Sequence, residues 1–276
     1  METKVYNTGE SERDLRQQYN PDGSQLRKLQ MRMLDMLVFI DKVCKENHIE
    51  WRLDGGNILG AVRHGGFIPW DDDVDIVLLP KEFKKLVKVL KKNPHPQYVL
   101  QDNSTDPGFY APNWAVLRDL KSEYIQDTCL HNARKFRGAQ VDIFCYDNHQ
   151  NVVLYKFIAR VSRYNINHFI GRRPKLAQWT YLFQVYVLIP ICKILGYPFG
   201  KADRFGHAYG HLATAFQLKW VSRDMVLPHK LIQFEGKWFP GPSNVDSFLS
   251  FKYGDYMNLP NKEDRNQHMA EYRIWD

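Results

Sequence analysis

Apolar residues recur at helical spacing near the start of the chain: Leu26, Leu29, Met33, Met36, Leu37, Ile40, Val43 and Cys44, with Lys and Arg between them. The spacing predicts one long helix, capped by Ser24 and ending near Asn47, whose apolar stripe is core. The period then shortens. Glu50–Leu53, Ile76–Leu79 (led in by Phe67–Trp70), Tyr98–Leu100, Trp114–Leu120 and Gln140–Tyr146 are short apolar runs of the kind that form strands. Pro80 stands at a first helical position and opens a basic helix, Lys81 to about Lys92, which Asn93-Pro-His-Pro96 breaks. Asp102–Pro112 is a polar, turn-rich connector placed to close over a site. Ser243 is expected to cap a helix over Val245–Tyr253. There is no internal repeat and no low-complexity segment.

One place interrupts this pattern. Asp71, Asp72, Asp73 and Asp75 put four carboxylates into five residues at the mouth of the strand that continues through Ile76. Crowded anions resist full ionisation unless cations neutralise them. With strand alternation, Asp71, Asp73 and Asp75 share a face and Asp72 points away. A Ca²⁺ loop of the EF-hand type fails here, because its sixth and twelfth positions are Ile76 and Glu82 where Gly and Glu are needed. Upstream, Asp54-Gly55-Gly56-Asn57 links a strand to a short helix, Ile58–His64. Backbone N–H groups in such a turn can cradle a phosphate, with Asn57 as helix cap and Arg63 and His64 as further donors. Downstream, Asp142 lies within an apolar strand; it either starts a turn, pairs with an Arg, or supplies a third ligand. Phosphoryl-transfer sites hold ions about 3.5–4 Å apart between carboxylates. Asp73, Asp75 and Asp142 could supply that set.

Leu53–Ile76, LDGGNILGAVRHGGFIPWDDDVDI, closely resembles the signature of the LicD family, phosphocholine and related phospho-alditol transferases to which fukutin-type proteins are related. Val141–Phe144 resembles that family's second acidic strand, and Phe234–Pro240 with Tyr253–Pro260 its closing segment. The resemblance spans roughly residues 26–265. It implies an α/β (α+β) nucleotidyltransferase-like fold, a small mixed sheet flanked by helices, with the third acid on a strand beside the Asp-x-Asp strand. It also implies a metal-dependent transferase. The donor would be CDP-choline, and phosphocholine would pass to a hydroxyl of a sugar or alditol with release of CMP. The acceptor would be a cell-surface glycan, lipopolysaccharide or teichoic acid precursor, often carried on a lipid. Mg²⁺, as one or two ions with Mn²⁺ as a substitute, would be held by Asp73, Asp75 and Asp142. Gly55, Gly56 and Asn57 would hold phosphate oxygens, with Arg63, His64 and Arg118 as phosphate partners, Asp71 in an outer position and Asp72 structural. Asn57 departs from the family, which commonly has Thr or Ser there. A choline pocket should be aromatic, and Trp70, Phe109, Tyr110, Trp114 and Trp220 are available. CDP-ribitol or CDP-glycerol would call for a polar pocket. A nucleotidyltransferase moving NMP from an NTP would use the same acids, and a silent adaptor would be expected to have lost one.

Charge adds a further element. The net charge is +7, yet Asn148–Ala202 contains no Asp or Glu, while Lys156, Arg160, Arg163, Arg172, Arg173, Lys175, Lys193 and Lys201 all fall there. Leu176–Cys192 inside it is an uncharged 17-residue run rich in aromatic and aliphatic residues, short for a membrane span. Such a basic, aromatic insert suits a lipid interface, the alternative being a core hairpin with a solvated basic face. No motif for nucleic acid accompanies the charge. The chain divides into a polar N-terminal tail (1–23), a catalytic core (24–149), a basic and aromatic helical insert (150–210) and a C-terminal segment completing the core (211–276). The four cysteines form no Cys-x-x-Cys pair, and Met1–Gly23 has no apolar signal segment. A cytoplasmic protein is expected, working at the inner face of the plasma membrane.

Overall fold

A computed structural model describes residues 4–125, 128–148, 151–199, 203–210, 213–214, 216–265 and 271–275. Its elements begin with α1 (Glu12–Tyr19), α2 (Gln25–Glu46), β1 (Arg52–Leu53), α3 (Gly55–His64), β2 (Asp75–Leu78) and α4 (Pro80–Lys92). There follow β3 (Tyr98–Gln101), β4 (Trp114–Asp119), β5 (Ser122–Ile125), α5 (Cys129–Ala133), β6 (Gln140–Asp147), α6 (Val152–His168), α7 (Pro174–Phe183) and α8 (Ile189–Gly196). The chain ends through β7 (Arg204–His207), β8 (Val221–Ser222), α9 (Arg223–Val226), β9 (Lys230–Phe234), β10 (Lys237–Gly241), α10 (Val245–Tyr253) and β11 (Glu271–Ile274). The main sheet runs β1-β2-β6-β4-β3, with β7 and then β8 continuing from the end of β6. β2 and β6 are parallel and the remaining pairs antiparallel. This is the α/β architecture expected, a mixed sheet flanked by helices.

Period-two alternation divides the sheet into two chemically different faces. Leu53, Ile76, Ile143 and Ala115 are register partners, as are Leu117 and Val141. All are buried and join Leu29, Met33 and Leu37 of α2 in one core. The residues in between face the other way: Asp75, Asp142 and Val116 in register, then Phe144 with Trp114, and Arg118 with Gln140. One face therefore holds the molecule together, and the other is left for chemistry.

Several local expectations change. Ser24 caps α2 as predicted, its hydroxyl accepting from Arg27 N at 3.1 Å. The N-terminal stretch expected to be a polar tail instead packs on the core: α1 buries Leu15, and Tyr6 donates to the carbonyl of Arg63 at 2.9 Å. α3 begins at Gly55 with Asp54 in the cap position, so Asn57 lies inside the first turn and does not cap. Asn244, not Ser243, caps α10, because its side chain reaches Ser247 N at 3.0 Å. The Asp102–Pro112 connector is anchored: Asp106 accepts from Gln101 at 2.6 Å and from Lys135 N at 2.7 Å, and Phe109 is fully buried. Pro174–Phe199 forms a continuous 26-residue helical rod, long and apolar enough to cross a membrane by length and composition, because the helix continues past Lys175 and Lys193 at the ends of the uncharged run. Lys201, and the expected boundaries at 149–150 and 211, lie outside the described residues.

The β9–β10 hairpin turns at Glu235-Gly236, both with positive φ (+50° and +73°), the backbone that a tight two-residue hairpin requires. The turn aims the Glu235 carboxylate at Arg27, which donates twice (3.0 and 2.7 Å), and at Phe67 N (3.0 Å). This latch ties α2 to the Gly65-Gly66 turn that leads into the acidic segment. Burial alone would raise the Glu235 pKa, but the bonds from Arg27 and Phe67 N, with the charges of Arg27 and Arg16, together outweigh it and hold the group below its ordinary 4.5. Its stabilisation is thus present above that pH and lost as pH falls through the lowered value. Glu235→Ala should lower the unfolding free energy at neutral pH by about 3 kcal/mol, since it leaves a largely buried Arg27 unpaired. Urea unfolding measures this, and the gap to wild type should shrink on acidification.

Candidate active site

Asp75 and Asp142 are direct register partners across parallel β2 and β6, on the same face of strands about 4.8 Å apart. The backbone around them is pinned from two sides. Asp142 N donates to Val74 O (2.8 Å) and Asp54 N to Asp75 O (3.0 Å). Asn57 accepts from Asp75 N at 2.6 Å and donates to Asp73 O at 3.3 Å, clamping the acidic segment to α3. Residues 71–74 precede the β-ladder, but their burial still alternates: Asp72 and Val74 are buried, Asp71, Asp73 and Asp75 half-buried. The Gly55-Gly56 turn lies against these carboxylates. A methyl group on Gly56 would come within 2.9 Å of Asp71 Oδ2, and one on Gly55 within 3.2 Å of Asp75 Oδ2. Gly55 also has φ of +53°, a conformation that costs a side chain about 1–2 kcal/mol.

Three acids of the site meet different fates. Burial would raise Asp54, but Arg52, Lys252, His207 and the Tyr146 hydroxyl (2.7 Å) hold it below the ordinary 3.8. Asp142 is pushed up to about 6: burial dominates, Arg118 opposes, and Asp73 adds to the rise. Its two oxygens accept from Trp114 Nε1 (2.8 Å) and Gln140 Nε2 (2.7 Å). Asp75 is raised well above 3.8 by burial and then by Asp73, Asp142, Asp54 and Asp71, influences that all act in one direction. Hard oxygen donors with uncompensated repulsion are what Mg²⁺ or Mn²⁺ relieves. Among the described residues, no three His, Cys, Asp or Glu side chains already converge on one ligating point. The donor chemistry fits a divalent ion, with Asp73, Asp75 and Asp142 as the groups that could hold it.

The other predicted residues divide. Gly55 and Gly56 open α3, where first-turn N–H groups lack intrahelical acceptors. Asn57 has both side-chain groups committed to the acidic segment, so its side chain positions the acids, while its backbone N–H donates to Asp54 O at 3.2 Å. Arg63 and His64 were expected beside the phosphate, but α3 carries them about 12 Å along its axis from Gly55. There Arg63 donates to Tyr256 O (3.1 Å) and Asn258 O (3.0 Å), and His64 bonds Glu12 at 2.6 Å. Arg118 is also internal, donating to Gln101 (2.7 Å) and Gly138 O (2.9 Å), and it reaches the site only through its charge on Asp142. Of the five aromatic candidates, Trp114 bonds Asp142. Trp70 packs on Tyr19 and His64, Phe109 sits behind Trp114, Tyr110 meets Tyr181, and Trp220 covers Gly206.

Two aromatics were missed. Phe216 and Tyr253 flank the turn, 3.7 and 3.8 Å from where a Gly55 methyl would stand. Lys252 holds this arrangement by donating to Phe216 O (3.2 Å) and Lys219 O (3.0 Å). Tyr253 lies in the conspicuous Tyr253–Pro260 stretch, whereas Phe216, in irregular structure, has no sequence signal. Asp54 and Tyr146 were legible as motif neighbours, but their pairing across 92 residues was not.

The profile of the family described as LicD/FKTN/FKRP, nucleotidyltransferase domain, matches residues 48–175, which contain every acid of the site. The chain is 26% identical over 261 residues to the lipopolysaccharide cholinephosphotransferase LicD of Haemophilus influenzae, covering 88% of this chain and 95% of the relative. Residues 48–175 thus carry a domain of the LicD type, and the similarity to the Haemophilus protein extends over most of the chain. An uncharacterized protein of Rickettsia prowazekii is 25% identical over 209 residues, 75% of this chain and 59% of the relative. A second, from Rickettsia typhi, is 46% identical over 37 residues, 13% of this chain and 12% of that relative.

The raised acids set a pH signature for this fold. The unfolded chain releases these protons near 3.8 while the folded chain retains them, so stability should fall as pH rises from there through about 6. Millimolar Mg²⁺ or Mn²⁺ should raise the melting temperature more at neutral than at acid pH. Asp75→Asn should flatten the pH slope and remove the ion effect. Wild-type melting that ignores both ions at neutral pH would contradict the cation fit.

Proposed function

We propose that this protein transfers phosphocholine from CDP-choline to a hydroxyl of a cell-surface glycan, with release of CMP. The observation that carries the reading is the in-register Asp75–Asp142 pair facing the Gly55-Gly56 turn. The full-length similarity to a lipopolysaccharide cholinephosphotransferase supports lipopolysaccharide as the acceptor class ahead of teichoic acid. Aromatic rings at Phe216, Tyr253 and Trp114 favour a quaternary ammonium over the hydroxyls of CDP-ribitol or CDP-glycerol.

In this reading the first turn of α3 binds diphosphate oxygens through backbone N–H groups and its dipole. A Mg²⁺ ion held by Asp73, Asp75 and Asp142 would offset charge on the diphosphate and on the departing CMP. The acceptor oxygen attacks the choline-bearing phosphorus, the bond from that phosphorus to the CMP oxygen breaks, and the hydroxyl proton passes to an Asp142 oxygen. Burial lifts this carboxylate to about 6 without an ion; a bound Mg²⁺ would lower it again and would also make an attacking hydroxyl nearby easier to deprotonate. Trp114 and Gln140 orient its two oxygens, Asn57 fixes the backbone of Asp73 and Asp75, and the buried Asp54 network supports the turn.

The direct assay offers CDP-choline with a lipopolysaccharide acceptor and follows CMP. Asp142→Asn should lower kcat by about a thousandfold while the variant melts no lower than wild type. Phe216→Ala should raise KM for CDP-choline by about tenfold and leave kcat nearly unchanged. Release of pyrophosphate from CTP, with no CMP from CDP-choline, would replace this reading by nucleotidyl transfer.

A further inference from the structure

The rod formed by α7, a π-helical turn (Gln184–Leu188), α8 and a short 3₁₀ turn (Tyr197–Phe199) has two unlike faces. Ala177, Tyr181, Gln184, Ile189 and Cys192 face the protein and are buried. The outward face exposes Trp179 (63%), Tyr186 (74%), Ile194 (72%) and Phe199 (70%), with Phe183 stacked on Trp179 at 5.7 Å. A π turn inserts one residue per turn, which keeps Gln184 and Ile189 on the same inward side although they are five apart. Only 22% of the most apolar window is buried, so this is not a core helix.

We infer that this outward face lies in the plane of an anionic lipid surface. Two observations select that occupant. The inward face is bonded to the rest of the fold by polar groups: Gln184 donates to Ser162 Oγ (2.6 Å), Asn165 to Ala177 O (3.0 Å), and Lys193 to Asp147 (2.6 Å). A rod ringed by hydrocarbon would have to give these up unsatisfied, so lying flat is favoured over spanning. The exposed surroundings are cationic: Lys156, Arg160 and Arg163 on α6, and Arg172, Arg173 and Lys175 at the start of α7, with no acid from 148 to 202. That charge suits phosphate headgroups and would repel a second copy of the same face. Exposed Trp and Tyr side chains match the headgroup boundary. Because Lys193 of α8 is tied to Asp147 at the end of β6, docking would also fix the attitude of the strand that carries Asp142.

Flotation with vesicles tests this, using phosphatidylcholine alone or mixed in equal parts with phosphatidylglycerol. The full chain should float with the mixed vesicles and be released by high salt. The triple substitution Trp179→Ser, Tyr186→Ser, Ile194→Ser and, separately, the pair Arg172→Glu, Arg173→Glu should each weaken binding by roughly tenfold or more. Both should keep the wild-type melting temperature and CMP release with a detergent-solubilised acceptor. Equal binding to both vesicle types, extraction by detergent but not by salt, or a salt-stable dimer abolished by the triple substitution would each overturn the inference.

Discussion

Everything at the candidate site depends on the repulsion between carboxylates that β2 and β6 force into register. Parallel pairing puts Asp75 beside Asp142 with no freedom to separate, and burial removes the water that would screen them. Nearby cations are spent elsewhere: Arg52 and Lys252 act on Asp54, and Arg118 and Arg134 on Asp142. Asp75 is left with anions around it. Such an arrangement is unfavourable for folding alone, and a sheet with Val or Leu at those two positions would be more stable. Its persistence makes sense if a bound cation completes it.

The surrounding fold reads as support for that pair. One sheet face is apolar and packs on α2, so the register that buries Ile76 and Ile143 necessarily presents Asp75 and Asp142 on the opposite face. A one-residue slip would put both acids into the core. Asn57 then clamps the backbone of Asp73 and Asp75, and the Glu235–Arg27 latch holds the turn that precedes them. Positions far apart in the chain thus bear on one carboxylate geometry.

Much of this was visible in the sequence because local patterns specify it. The α2 stripe, the Pro80 helix start, the strand at 140–146 and the acidic cluster each announce themselves within a few residues. The neighbouring placement of Asp142 and Asp75 was an expectation that β2–β6 pairing meets geometrically. What the pattern hid is long-range or irregular. Arg63 and His64 look like phosphate donors until helix geometry carries them away from the turn. Glu12 and Tyr6 sit in a stretch with no apolar signal, yet they bond His64. β11 pairs with β5 although more than half the chain separates them, and Phe216 approaches the site from a segment without periodicity.

Calorimetric titration of Mn²⁺ near pH 6, with and without CDP-choline, in buffers of different ionisation heat, tests the central claim most directly. Raised, coupled carboxylates must lose protons when they bind an ion, so the observed heat should depend on buffer and report proton release. Asp75→Asn and Asp142→Asn should each weaken binding and remove that release. Binding of equal strength in both variants, or binding whose heat does not change with buffer, would contradict the account.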